Sequence, residues 1–223
     1  MLKKAIQFMI VSAFAFALLN AFVKNLKGFS VYQIVLFRAV GTLFFTIPLI
    51  VKAKIPLLGT HKKLLLSRAL CGVISLTCFF ESLNYLDVGT AVSLRYTSPI
   101  FAAIFAVLFL KEKIKPLQWL LFLLAFLGVL IIKGFGTNVD SIGLLLVLFS
   151  AFFLGLILVI IRKIGATEHP LVIINYFMVF AFLFGGVMSI NSWKTPNLKE
   201  FILLLSLGVF GYASSTATVN YGL

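Results

Sequence analysis

The sequence predicts an all-α integral membrane protein of inverted five-helix repeats, with eight transmembrane helices present of an expected ten. Three observations predict it. Of the 223 residues, 62% are hydrophobic and only 11% charged, and the mean hydropathy is +1.16. A soluble domain of this length needs more polar surface than that composition supplies. Apolar runs recur along the chain, most of them near the ~20 residues a helix needs to cross the hydrocarbon core. Two stretches of the first half also return in the second half at almost the same spacing.

The first run, residues 5–23, follows Lys3 and Lys4. It is about twice as long as the apolar region of a signal peptide and further runs follow it, so it reads as an uncleaved first helix. The second run, 31–51, carries Arg38; the third, 64–83, carries Cys71, Cys78 and Glu81. The cysteine spacing fits no zinc or redox motif and reads as packing. The fourth, 88–110, holds Arg95 and Pro99, and the fifth, 117–132, is the shortest, bounded by Pro116 and Lys133. Runs over 142–161 and 171–190 supply the sixth and seventh, and the eighth begins at Phe201.

With the amino terminus in the cytoplasm, twelve of the 19 Lys and Arg, Arg68 among them, fall on the cytoplasmic side. Five fall outside, and Arg38 and Arg95 lie within spans. This asymmetry follows the positive-inside rule, so the net charge of +13 sets topology and does not point to nucleic acid.

Residues 12–26 (SAFAFALLNAFVKNL) lie over 150–164 (SAFFLGLILVIIRKI) at an offset of 138. Residues 64–77 (LLLSRALCGVISLT) lie over 203–216 (LLLSLGVFGYASST) at an offset of 139, matching Ser67, Gly72, Ser75 and Thr77 to Ser206, Gly211, Ser214 and Thr216. Five spans per unit is an odd number, so the second copy enters the membrane from the opposite side. Counterparts of the fourth and fifth runs are missing from the second copy, hence the expectation of ten.

The run from Tyr85 to Gly134 resembles the EamA-type members of the drug/metabolite transporter superfamily. The likeness rests on the small-residue helix start Gly89–Ala91, on Pro99 within the fourth helix, on Glu112 at its end, and on Gly128–Val129 late in the fifth. It covers residues 5–134 as a first repeat and 141–223, more loosely, as a second that is incomplete at its C-terminal end. The resemblance implies a ten-helix carrier of small metabolites. The FRAVGTLFF and SLRYTSPIF segments are most similar to the branch that carries S-adenosylmethionine and other amino-acid-like metabolites.

Several polar residues interrupt the apolar runs. Arg95 lies seven residues into its span, about 10 Å deep if Val88 is at the outer surface, and Arg38 is as far from Val31. An arginine in hydrocarbon costs at least ~2.5 kcal/mol, so it faces a protein interior or a water-filled cavity, or snorkels to the headgroups. Pro99 has no N–H and leaves the Arg95 carbonyl without its helical partner. That bends the helix or, with Tyr96 adjacent, offers a polar solute a binding place. Glu81 is the only acid within the spans and reads as an ion-pair partner for Arg38 or Arg95, or as a protonatable coupling group. The three are expected to converge in the outer half of the bundle, where Asn20 and Asn84 also fall. In the second repeat Asn175, Tyr176, Ser214, Ser215, Thr216, Thr218 and Asn220 fall in the inner half. Glu112 is expected to pair locally with Lys111, Lys113 or Lys115, and His61 and His169 to be solvated loop residues.

These features predict a secondary carrier of small polar organic metabolites, anionic or zwitterionic and amino-acid-like, working by alternating access. The alternatives are a non-transporting membrane subunit or incomplete carrier, and a membrane-embedded enzyme. An enzyme would need a cluster of His, Asp or Glu at one face, and no catalytic motif occurs in the chain. The expected partners are a small-molecule metabolite and the lipid bilayer, with no nucleic acid and no cofactor; a homo-oligomer stays open. The expected location is the bacterial inner membrane, with the amino terminus cytoplasmic.

Overall fold

The computed structural model describes residues 2–26, 28–112 and 140–221, and six scattered positions between 117 and 128. The chain is an all-helical integral membrane protein. Its helices, in order, are α1 (Leu2–Asn25), α2 (Val31–Lys52), α3 (Lys62–Tyr85), α4 (Val88–Arg95), α5 (Ser98–Leu110), α6 (Ser141–Ile164), α7 (Pro170–Ser189) and α8 (Leu198–Tyr221). Five segments of the described chain are long and apolar enough to cross a membrane: Val31–Lys52, Lys62–Tyr85, Val88–Leu110, Ser141–Ile164 and Pro170–Ser192. Ile10–Asn25 within α1 is a shorter apolar stretch. Ten of the sixteen positions of the fifth expected span, 117–132, lie outside the described residues, as do the loop positions 134–139.

The span expected over 88–110 is divided in two. α4 ends at Arg95, and α5 starts at Ser98 with Pro99 in its first turn. Pro99 cannot donate to the Arg95 carbonyl, and the backbone tightens ahead of it. The Thr97 N–H bonds to the Leu94 carbonyl at 3.1 Å and the Ile100 N–H to the Thr97 carbonyl at 3.0 Å, both three residues back. The Thr97 hydroxyl also donates to the Leu94 carbonyl at 2.7 Å. Pro48 sits inside α2 without interrupting it.

The helices form two compact units. The first comprises α1, α2, the start of α3 as far as Val73, α7 and α8. In it α2 packs against α7 and α8, and α1 against α8. Its interior is built from fully buried side chains such as Leu19, Leu65, Ile173, Met178 and Leu207. Lipid tails are as apolar as leucine, so close packing rather than exclusion of water holds membrane helices together, and small residues permit the closest approach. Here a Cβ on Gly41 of α2 would stand 2.8 Å from the Gly208 Cα of α8, so the two backbones touch.

The second unit runs from Ile74 to Lys163. Its α3 segment is tied to α6 by a reciprocal pair: the Ser75 hydroxyl donates to the Ser150 carbonyl at 2.9 Å, and the Ser150 hydroxyl to the Ser75 carbonyl at 2.7 Å. Further along α6, a Cβ on Gly155 would stand 2.9 Å from the Ala102 nitrogen, so α5 and α6 also meet closely. Phe101 and Phe105 of α5 pack edge-on against Phe152 of α6.

Candidate functional site

The polar interior of the first unit is organised by α2. Arg38, Thr42 and Thr46 recur every four residues, which places them on one helical stripe. All three are buried. The Thr42 hydroxyl donates to the Gly208 carbonyl of α8 at 3.1 Å, and the Thr46 hydroxyl donates to the Asn175 side-chain oxygen of α7 at 2.5 Å. Arg38 lies against Gly211 of α8, where a Cβ would stand 2.8 Å from Nε. Asn20 of α1 is fully buried, and its side-chain nitrogen and oxygen have no hydrogen-bond partner among the described residues.

A second guanidinium enters this interior from α3. Arg68 lies over the Phe177 ring of α7, with its central carbon 4.6 Å from the ring centroid. That separation is within the range of a cation–π interaction. Its Nε and Nη1 are shielded and have no acceptor among the described residues. Gly72 makes the room, since a Cβ there would stand 2.8 Å from the Phe177 ring. Arg68 follows Lys62 and Lys63 in a basic run, and its guanidinium packs on the Phe177 ring of α7.

Both ends of the first unit are fastened by polar contacts. Where α3 and α7 begin, buried Glu168 accepts from the Thr60 and His61 backbone N–H groups, each at 2.5 Å. The Tyr176 hydroxyl donates to the Leu58 carbonyl at 2.7 Å, and the exposed His169 caps α7 by accepting from the Leu171 N–H at 3.2 Å. Where α2 begins and α8 follows α7, the Gln33 amide donates to the Lys194 carbonyl at 2.7 Å and accepts from its N–H at 3.2 Å. The Lys194 ammonium stands 4.4 Å over the Phe29 ring and 3.4 Å from Glu200.

In the second unit Arg95, at the end of α4, stands 4.2 Å over the Phe79 ring of α3. Glu81 is half-buried, whereas Asn84 and Pro99 are exposed and Tyr96 is 69% exposed. Glu112 binds Arg162 of α6 at 2.7 Å, and Lys113 and Lys115, two of its expected local partners, lie outside the described residues. The Glu112 and Arg162 side chains face solvent, so the pair adds little stability. Cys71 and Cys78 are free and half-buried, as packing residues would be. The side chains of Ser214, Ser215, Thr216, Thr218 and Asn220 lie outside the described residues.

Of the residues expected at the site, Arg38 and Asn175 are thus joined to one polar interior through the α2 stripe. Arg38 belongs to the first unit, Glu81 and Arg95 to the second. Sequence reasoning missed Thr42, Thr46 and Arg68. The spacing of four from Arg38 was a readable signal for the threonines.

Comparison with known proteins agrees with this architecture. Residues 3–134 match the model of the EamA-like transporter family. The chain is 32% identical over 213 residues to the pseudopaline exporter CntI of Pseudomonas aeruginosa, covering 94% of this chain and 75% of that protein. It is 27% identical over 146 residues to the riboflavin transporter of Vibrio cholerae, covering 65% of this chain and 49% of the relative. The S-adenosylmethionine uptake transporter of Rickettsia bellii is 26% identical over 167 residues, with 69% of this chain and 57% of the relative covered. A family match over more than half of the chain and a relative of this similarity over nearly all of it lead to one assignment: the chain is a membrane transporter of the EamA-like transporter family.

Proposed function

We propose that this chain is a secondary carrier of small polar organic metabolites, anionic or zwitterionic and amino-acid-like. It works by alternating access between two inverted repeats, residues 5–134 and 141–223. The observation that carries the reading is Arg38, a guanidinium only 5% exposed on an apolar helix and on one stripe with Thr42 and Thr46. A charge is retained in such a place where it serves a polar solute or a water-filled path. Within the first unit the substrate-contact residues of this reading are Arg38, Asn20, Asn175 and Tyr176. Within the second they are Glu81, Asn84, Arg95, Tyr96 and Pro99. The relatives' names supply the solute class, since S-adenosylmethionine and riboflavin are both small polar metabolites.

Exchanged contacts support the inverted repeat. Arg38 meets Gly211, and Phe177 meets Gly72; a shift of 139 residues carries 38 to 177 and 72 to 211. The same shift turns the Thr46–Asn175 contact into the Gly185–Leu36 contact. Each pair recurs with its roles swapped between copies, as a two-fold relation requires. In this reading the amino terminus is cytoplasmic, in the bacterial inner membrane.

Uptake of labelled S-adenosylmethionine and an amino-acid panel into proteoliposomes tests the function, using this chain and a form extended by two helices. Saturable accumulation of an anionic or zwitterionic solute above protein-free vesicles is expected. Accumulation no different from those vesicles with both forms contradicts the carrier reading.

A further inference from the structure

The loop between α2 and α3, residues 53–61, is fastened at three places within the first unit. At its start the chain leaves α2 in a left-handed turn, with the Lys54 N–H bonded to the Val51 carbonyl and the Ile55 N–H to the Ile50 carbonyl, each at 3.1 Å. In its middle the Tyr176 hydroxyl of α7 donates to the Leu58 carbonyl at 2.7 Å. At its end Glu168 accepts from the Thr60 and His61 N–H groups. The loop backbone is thereby tied to α7 and the residues before it, while the Leu57 and Leu58 side chains stay 53% and 64% exposed.

Four lysines flank this pair of leucines. Lys52 closes α2, Lys54 follows it, and Lys62 and Lys63 begin α3; all four are exposed. None of them has an ion-pair partner among the described residues. Glu168, the carboxylate bonded to the loop, is buried and committed to two amides. Lys54 stands apart from the other three. Its φ of 53° is the left-handed conformation that commonly follows a helix end and is usually given to glycine, which has no β-carbon to strain there. A cation also suits the end of the helix dipole, but Lys52 in the last turn already supplies one. The backbone thus favours glycine at 54, and what the lysine adds is an ammonium group at the surface.

α2 and α3 are each long and apolar enough to cross the membrane, so the loop that joins them lies at one bilayer surface. A purely acidic partner would match the lysines and leave the leucines in water. A bilayer takes both, the apolar side chains at the boundary of headgroups and acyl chains and the ammonium groups among anionic headgroups. We propose that the α2–α3 loop is a binding site for anionic phospholipid, in which Leu57 and Leu58 enter that boundary and Lys52, Lys54, Lys62 and Lys63 hold the headgroup phosphates. The site goes beyond the carrier reading and requires no particular solute.

Native mass spectrometry of the full chain, taken from micelles with equal phosphatidylglycerol and phosphatidylcholine, tests the headgroup half of the site. Retention of phosphatidylglycerol over phosphatidylcholine by about tenfold or more is expected. Lys54→Gly should lower that preference about fivefold, one lysine's share of the attraction to an anionic surface. Its thermal unfolding should stay unchanged or rise, because glycine suits the left-handed turn, so lost retention cannot be laid to misfolding. Replacing all four lysines by glutamine should bring the two lipids to parity. A spin label at Leu57→Cys, with Cys71→Ala and Cys78→Ala in vesicles of the same two lipids, tests insertion. Oxygen, which enters the acyl region, is expected to relax the label more than a water-soluble nickel complex does. Equal retention of the two lipids by the parent chain, an unchanged preference in both lysine variants, or a label reached mainly by the nickel complex would each overturn the site.

Discussion

At the residue scale, the account turns on glycines that let helices touch and on cations that lie between them. Gly185 and Gly186 of α7 are neighbours in sequence but not in consequence. A Cβ on Gly185 would stand 2.8 Å from the Tyr32 carbonyl oxygen, whereas one on Gly186 would meet only the Leu36 side chain at 3.9 Å. Gly185→Ala should therefore destabilise the protein by about 1–3 kcal/mol, through forced separation of α2 and α7. Gly186→Ala should be neutral or slightly stabilising, because alanine is the better helix former. Thermal unfolding in detergent checks both, and equal effects would contradict the packing. Arg38 and Arg95 stand out in the sequence because each is a charge inside an apolar run. Arg68 does not, because it follows Lys62 and Lys63 and its ring partner Phe177 lies more than a hundred residues away. Composition shows that a charge is present; only the fold shows where its head goes.

At the scale of elements, run length located the spans, but not how each is interrupted. Pro48 and Pro99 are alike in sequence, yet α2 continues through Pro48 while the fourth span divides at Tyr96 and Thr97. The Thr97 hydroxyl satisfies the Leu94 carbonyl at that break, a local bond that proline placement alone does not announce. The links between elements were the least readable part. Glu168 lies outside every apolar run and reads as an ordinary loop acid, but it is buried and holds two backbone amides at the start of α3. Those are charge-assisted bonds, so Glu168→Ala should cost about 1.5–3 kcal/mol. Hydrogen–deuterium exchange should speed up at Thr60 and His61 in that variant and stay unchanged around Lys194. Unchanged exchange at Thr60 and His61 would show that the carboxylate does not hold this loop.

At the scale of the whole molecule, the proposed repeat rests on small and polar residues that recur at offsets of 138 and 139, and the Arg38–Gly211 and Phe177–Gly72 contacts exchange along the second. By these two offsets the positions equivalent to Ser75 and Ser150 are 214 and 12, on α8 and α1, which pack together. Cysteines at those two positions should crosslink readily in a background of Cys71→Ala and Cys78→Ala, and failure to crosslink would break the symmetry. Alternating access makes the more demanding claim, that the fastened ends of the first unit must open in turn. The Gln33–Lys194 contact is the fastening at the end where α2 begins, with bonds of 2.7 and 3.2 Å. The most direct test bridges Gln33→Cys and Lys194→Cys with a short reducible crosslinker, in the same cysteine-free background, and measures metabolite uptake into proteoliposomes. The account predicts that uptake stops when the bridge is formed and returns when it is reduced. Undiminished uptake by fully bridged protein would contradict it.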